Sequence, residues 1–518
     1  MTAIQLRAAS SPWHPARWRR PSLLAICAIA VLLCVAIPLI FVAVQASQAG
    51  WAPTLRLAHR PLVRILVLHT VTLTLAVTAS TAVIGFAAAY LVERTDLPLR
   101  RSVGFLLVLP LAVPEFVQGF SWVSLTSTVR GFSGAVLVMT CSLYPLVYLP
   151  VVASLRRSDP SLEEVSRSLG HGRLSTLVRV TIPLTRTALG GGVLLVSLYL
   201  LGEYGAFAAL RFQTFATAIY TEYRVAYDTA AASTLTMMLC VLALLLVSTE
   251  ARLTGRGRAT RGGSDGRAAS RVSLGWGRWP ALAALIALLG AALGVPIAAL
   301  IDWFTTGTSG TLPPASIFAD ARNTLGYALA AAGIATLAAL PVALYSWRRR
   351  TRLAVAVERG AYLTRALPGI AIGLSIVFVT IHYARPFYQQ PPMLVAGYVA
   401  LFFPLALTGL RAGLAAVPNG VEEVARSLGA SRWRVLCRVT LPLIAPALGV
   451  AVALVALSAS TELTATLLLR PIGTETLATQ FWSYTTGLAY GAAAPYAAVM
   501  IGLSAIPVVL LARRGVLQ

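Results

Sequence analysis

Carboxylates set among apolar residues are the side chains in this sequence whose types and spacing could do chemistry. Glu163 and Glu164 recur 259 positions later as Glu422 and Glu423, a shift of half the 518-residue chain. Glu203 and Glu462 keep the same separation, and Glu115 stands without an acidic counterpart. Carboxylates of this kind can bind a cation, pair with arginine or cap a helix. They do not form the sets that catalysis needs. The sequence offers no nucleophile–base constellation and no ligand cluster for a metal. The five cysteines form no CxxC pair, and four sit in apolar runs as small hydrophobes. His69 and His382 fall near the ends of apolar runs and are read as structural. No bond chemistry is expected.

The surroundings of these residues define the class. The chain is 57% hydrophobic and 12% charged, against about 25% charged in globular proteins. Lipid is the solvent such a composition fits. Apolar runs of about 20 residues, enough for about 30 Å of hydrocarbon, place spans near 22–45, 66–92, 102–123, 132–155, 187–210 and 229–249. A second set falls near 280–303, 323–346, 361–383, 393–414, 446–469 and 489–511. The first run is longer than a signal-peptide core and is read as an uncleaved span. The expected fold is therefore all-α and integral to the membrane, with twelve transmembrane helices. Six spans per half give both halves one orientation, so the repeat is parallel, about an axis along the membrane normal.

Charge supplies the orientation. The formal net charge is +24, and all 42 basic residues are arginine. They concentrate in alternate loops: Arg17, Arg19 and Arg20, then Arg94, Arg100 and Arg101, then Arg348, Arg349, Arg350 and Arg352, and finally Arg513 and Arg514. By the positive-inside rule both termini are cytoplasmic. No basic face with interleaved aromatics appears, which argues against nucleic acid. The expected organisation is a tail over 1–21, a first half over 22–249, a Gly/Ser/Arg-rich linker over 250–279, a second half over 280–512 and a tail over 513–518.

The repeated segment falls on the cytoplasmic side in both halves. Leu162, Val165 and Leu169 share a helical face, as do Val421, Val424 and Leu428. Ser161 with Glu164, and Asn419 with Glu422, have capping-box spacing. Glu163–Arg167 and Glu422–Arg426 are expected as i,i+4 pairs on the wet side. Gly170 and Gly429 follow the apolar stripes and are expected to stop the helices at positive φ. A second short helix follows each, and Pro183 and Pro442 mark return to the membrane. Each copy is a helix–turn–helix.

The spacing Glu164-x5-Gly170 with Val180-x-Ile182-Pro183, matched by Glu423-x5-Gly429 with Val439-x-Leu441-Pro442, resembles the EAA loop of binding-protein-dependent ABC importer permeases of the type I fold. Val165-Ser166 and Val424-Ala425 replace the family's Ala-Ala. The resemblance covers roughly 60–250 and 320–512. It implies that Glu163, Glu164, Gly170, Pro183, Glu422, Glu423, Gly429 and Pro442 form coupling loops for two ATPase subunits. It also implies an extracytoplasmic binding protein, docking on loops such as 46–65, 211–228, 304–322 and 470–488. ATP and magnesium would sit on the ATPase, and this chain would hold no cofactor. The absence of lysine agrees, since a Walker A loop needs one. Glu203, Glu462 and Glu115 are candidates for lining the pathway, because carboxylates in the bilayer face water or a partner. The stretch Glu462–Trp482 resembles that of fused ferric-iron permeases. Thiamine, polyamine, phosphonate and oxyanion transport remain open as alternatives, and so does an ion-coupled secondary transporter with Glu203 and Glu462 as coupling sites.

Overall fold

A computed structural model describes residues 23–41, 44, 59–159, 161–253, 271–307, 316–349, 351–418 and 420–516. Arg17, Arg19, Arg20, Arg56, Arg350, Asn419, most of the linker and parts of the loops 46–65 and 304–322 lie outside the described residues. Among the described residues the chain is helical and has no strand; one isolated bridge joins Thr95 and Val272.

Among the described residues, nine helices are long and apolar enough to cross a membrane. Residues Arg100–Ala112 and Glu115–Leu125 form a further pair bent by 93°, and Leu23–Val35 and Gly369–Tyr383 are shorter apolar helices. The bend falls where Pro110 and Pro114 remove two backbone donors. The Pro and Gly residues of this third span suggest such a kinked or broken helix from sequence alone.

Helix pairing relies on small residues. In Ser316–Arg348, Ala328, Ala332, Ala335 and Ala339 are buried along one side. Without bulky side chains the backbones approach closely, which is how helices associate without a hydrophobic drive. In Pro61–Arg94 the same task falls to Thr70, Thr74, Thr78, Thr81 and Gly85. Thr74, Thr78 and Thr81 each donate to the carbonyl four residues back, so no hydroxyl among them is left dry.

The first helix of each half packs on the other half. Ala25, Ala28 and Val35 join Ala332, Ala335, Val342 and Phe403 in one buried cluster. Leu282, Leu285 and Ala292, from Gly275–Thr306, join Leu73, Val138 and Leu143 in another. Polar contacts reinforce that exchange. Gln118 Nε2 donates to the Ala292 carbonyl at 3.2 Å, and Trp303 Nε1 donates to Ser124 Oγ at 3.0 Å.

Candidate functional site: two clamped hairpins and a meeting of broken helices

The repeated segments fold as two matching hairpins. Ser161–Ser168 and Val421–Ser427 are the first helices. Each ends on a glycine in the left-handed region, Gly170 at φ +83 and Gly429 at φ +85. His171 N–H returns to the Ser166 carbonyl at 3.2 Å and Ala430 N–H to Ala425 at 3.1 Å, closing a Schellman turn in both copies. Nothing lies within 4 Å of a Cβ built on either glycine. Backbone conformation, not crowding, is what asks for glycine.

The helix starts differ from expectation. Ser161 N–H donates to Asp159 Oδ1 at 2.9 Å, so an Asp turn precedes the helix where the Ser161–Glu164 box was expected. The second hairpin begins after Gly420 at φ +86, and Asn419 of the expected Asn419–Glu422 box lies outside the described residues.

The return helices differ too. Arg173–Gly202 and Arg432–Ser460 each run continuously, with no break at Pro183 or Pro442. A wide π turn over Leu177–Thr181 or Leu436–Thr440 precedes each proline. Proline cannot donate to the carbonyl four residues back and its ring crowds that carbonyl. The π turn absorbs both problems, so the second hairpin helix and the span are one rod.

Glu163 is not on the wet side. It is 4% exposed, and its Oε1 lies 3.2 Å from Arg94 Nε. Thr181 Oγ1 donates to the same oxygen at 3.2 Å, while Arg167 stands off at 4.0 Å. Arg94 closes the long helix Pro61–Arg94 and also donates to the Leu155 carbonyl at 3.0 Å and Ser158 Oγ at 2.7 Å. Arg94 was counted among the loop charges; it is buried here. The second half repeats the set. Arg348 Nη2 lies 2.6 Å from Glu422 Oε1, and Thr440 Oγ1 donates to that oxygen at 2.6 Å. Arg426 again pairs with Glu422 at i,i+4, but at 4.0 Å and so farther than Arg348. Burial raises the Glu422 carboxyl, but hydrogen bonds from Arg348 and Thr440 and the charges of Arg348 and Arg426 outweigh it and leave the group below its usual 4.5.

With both glutamates turned inward, the apolar stripes face out. Leu162, Val165, Leu169 and Leu174 are exposed on the first hairpin, and Val424, Leu428 and Trp433 on the second. That inverts a soluble amphipathic helix and leaves two apolar patches needing cover.

The other candidate carboxylates all stand at helix breaks; Glu203 is buried at 8% exposure, whereas Tyr199, beside Glu115, is 42% exposed. Neither Glu203 nor Glu462 lies within a continuous span. Each follows the end of its rod and precedes a short helix, Gly205–Ala209 or Thr464–Leu469. Glu203 Oε1 accepts the Ala206 N–H at 2.8 Å and Glu462 Oε1 the Ala465 N–H at 2.8 Å. Glu115 opens the helix after the sharp bend, and Tyr199 Oη donates to its Oε2 at 3.0 Å. Packing is tight around these breaks. A Cβ on Gly202 would sit 3.1 Å from Gly369 N, and one on Gly205 would sit 2.8 Å from both Phe116 Cβ and Leu463 Cδ2. Four helix breaks from the two halves therefore touch. Tyr199 was missed by sequence reasoning, since an aromatic residue in an apolar run carries no signal. Among the described residues no three His, Cys, Asp or Glu are grouped to hold a metal ion.

A third repeated feature lies beyond the breaks. Phe215–Arg224 and Leu477–Thr486 each start beside a threonine pair: Thr214 N–H donates to Thr217 Oγ1 at 2.8 Å, and Thr476 and Thr479 exchange such bonds reciprocally. Arg224 Nη2 donates to the Leu467 carbonyl at 2.9 Å, tying the first half to the second.

Paired hairpins, continuous rods and an internal repeat define a membrane transport component. The sequence pattern of the binding-protein-dependent transport system inner membrane component family matches residues 81–253 and again 331–516. The chain belongs to that family, as a fused two-domain permease of the type I fold that passes the inner membrane many times.

Its relatives narrow the comparison. It is 35% identical over 502 residues to the Fe(3+)-transport system permease protein FbpB 2 of Haemophilus influenzae, covering 95% of this chain and 98% of that one. The ferric transport system permease protein FbpB of Actinobacillus pleuropneumoniae is 24% identical, over 75% of this chain and 59% of that protein. The sulfate transport system permease protein CysT of Salmonella typhimurium is 31% identical, over 44% of this chain and 87% of its own.

Proposed function

We propose that this chain is the membrane subunit of an ABC importer that passes iron(III) from an extracytoplasmic binding protein to the cytoplasm. One observation carries the mechanism: two equivalent hairpins present apolar stripes outward while rods from the same hairpins run to the helix breaks. Two ATPase subunits cover the stripes on the cytoplasmic side, one per hairpin, with Glu164 and Glu423 at the contact. ATP and magnesium belong to those subunits, and this chain binds no cofactor of its own. The nine long helices, the bent pair and the two short apolar helices make twelve spans in two parallel six-helix repeats. The halves run from 22 to 249 and from 280 to 512, joined by the linker 250–279, with both termini cytoplasmic. The threonine-paired helices and neighbouring loops face the binding protein.

The meeting of helix breaks is the gate of the pathway, and Glu115, Glu203 and Glu462 line it beside Tyr199. ATP binding draws the hairpins together, the rods transmit the movement, and the breaks part. Such rocking about a central site is alternating access. Iron(III) is favoured because the relative matching along almost the whole chain carries Fe(3+) in its name, whereas the sulfate relative matches less than half. Hard iron(III) prefers oxygen ligands, and the lining carboxylates supply oxygen.

The test replaces Gly170 and Gly429 with valine in the complex reconstituted with its ATPase and binding protein. Uptake of radiolabelled iron(III) is expected to fall at least tenfold with membrane insertion unchanged. Unchanged uptake would overturn the coupling role. A binding protein that holds sulfate or an organic cation instead would overturn the iron assignment alone.

A further inference from the structure

We propose that Arg94–Glu163–Thr181 and Arg348–Glu422–Thr440 are coupling clamps, whose task is to make each hairpin, its rod and the preceding long helix move as one body. This rests on the importer reading above and names the residues that would carry its stroke.

The argument starts from connectivity. Glu163 belongs to the hairpin helix Ser161–Ser168, Thr181 to the base of the rod Arg173–Gly202, and Arg94 to the end of Pro61–Arg94. One carboxylate oxygen, Oε1, forms the ion pair with the arginine and accepts the hydrogen bond of the threonine. Three elements are therefore joined at a single atom. In the second half Glu422 Oε1 accepts hydrogen bonds from both Arg348 and Thr440. The Glu and Thr positions are each separated by 259 residues and the Arg positions by 254 (422 − 163, 440 − 181, 348 − 94).

The placement also requires a fastening. The turn between hairpin and rod is a glycine Schellman turn with open space around it, which by itself lets the first hairpin helix swing. A load applied to the exposed stripe would be lost in that swing unless the hairpin were fixed to the rod on its inner side. The clamp lies on that inner side, at the π turn where the rod is most easily deformed. Beyond it the rod runs uninterrupted to Glu203 or to Ser460, two residues before Glu462. At 1.5 Å per residue, the 21 residues of Ile182–Gly202 carry displacement over about 32 Å. Glu163 and Glu422 thus differ in task from their neighbours Glu164 and Glu423: they hold the hairpin, and the neighbours face the motor.

The experiment compares uptake per ATP hydrolysed in proteoliposomes containing the full permease, its ATPase and the binding protein loaded with radiolabelled iron(III). Glu163→Gln and Glu422→Gln, combined, are expected to lower that ratio about tenfold while ATPase co-purification and ATP turnover persist. Thr181→Val with Thr440→Val keeps both ion pairs and the side-chain shape, and is expected to lower the ratio two- to threefold. In the more open second clamp, the exchange Arg348→Glu with Glu422→Arg is expected to recover at least half of what Glu422→Gln loses. A ratio unchanged in the glutamine and valine variants would overturn the proposal. So would parallel loss of uptake, turnover and assembly in both sets, because that marks mere structural support. If the unaltered chain binds no ATPase and takes up no iron(III) with ATP, the importer reading itself fails, a result distinct from either.

Discussion

The two clamps have the same chemistry in different surroundings. In the first, the side chains of Arg94 and Glu163 are each 5% exposed, and the arginine is further held by Leu155 and Ser158. In the second, Arg348 and Glu422 are 26% and 12% exposed, yet their contact is shorter, at 2.6 Å against 3.2 Å. Distance alone would rank the second clamp as stronger. Physics ranks the consequence of breaking them the other way. A charge stranded in a dry site cannot recover its hydration, so removing its partner costs about 3–5 kcal/mol. A charge near the surface regains water, and an exposed pair is worth about 0–1 kcal/mol. The first clamp is therefore the costlier of the two to break, and the second the cheaper.

The largest expected effect follows from that difference. Glu163→Gln leaves Arg94 buried without its counter-charge and should lower stability by about 3 kcal/mol. Glu422→Gln should lower it by about 1 kcal/mol. Thermal unfolding of the purified permease in detergent reads both. Equal shifts would mean that burial does not separate the clamps. A larger shift for Glu422→Gln would make contact length the controlling variable.

How much of this was legible in the sequence also differs by region. The hairpin glycines were readable because a left-handed helix end is a local requirement, and Gly170 and Gly429 meet it at φ +83 and +85. Apolar runs located nine long helices among the described residues, since hydrocarbon thickness imposes their length. The clamps were hidden in plain view. Thr181 and Thr440 stand inside the repeat, but a hydroxyl among apolar residues has many possible uses. Arg94 and Arg348 were absorbed into a topological tally of positive charge, because charge counts do not know which arginines are buried. The i,i+4 spacing drew attention to Arg167 and Arg426, whereas the nearer partners come from helices 69 and 74 positions earlier (163 − 94, 422 − 348). Local pattern cannot rank a distant partner. The breaks at Glu203 and Glu462 failed for another reason: hydrophobicity continues through them, and only packing at Gly202 and Gly205 reveals that the chain turns.

The turn glycines provide an internal control. Both have positive φ and open surroundings, so burial does not distinguish them. Gly170→Ala and Gly429→Ala should each cost about 1 kcal/mol, the ordinary penalty of the left-handed region. Thermal melts of the two variants should agree within about 0.5 kcal/mol. If they diverge as the glutamate variants do, the halves differ in rigidity throughout, and the clamps are not the source of the contrast.

The smallest effect is a dependence on pH in the second clamp. The Glu422 carboxyl is held below its usual 4.5 by its donors and by the charges of Arg348 and Arg426, despite the opposing pull of burial. A carboxylate depressed on folding stabilises fully above the free value, and the contribution fades as pH falls through the folded one. The second hairpin should therefore stay fastened at pH 5 and loosen only below the ordinary carboxylate range. Hydrogen exchange at the amides of 421–440, corrected for its intrinsic pH dependence, reads the opening. Glu422→Gln should show the loosened level of protection at every pH. Loosening of the unaltered chain already at pH 5 to 6 would mean that the carboxyl is raised, with burial outweighing its partners. In that case the second clamp would be governed by desolvation like a dry pair, and the contrast between the two halves would close.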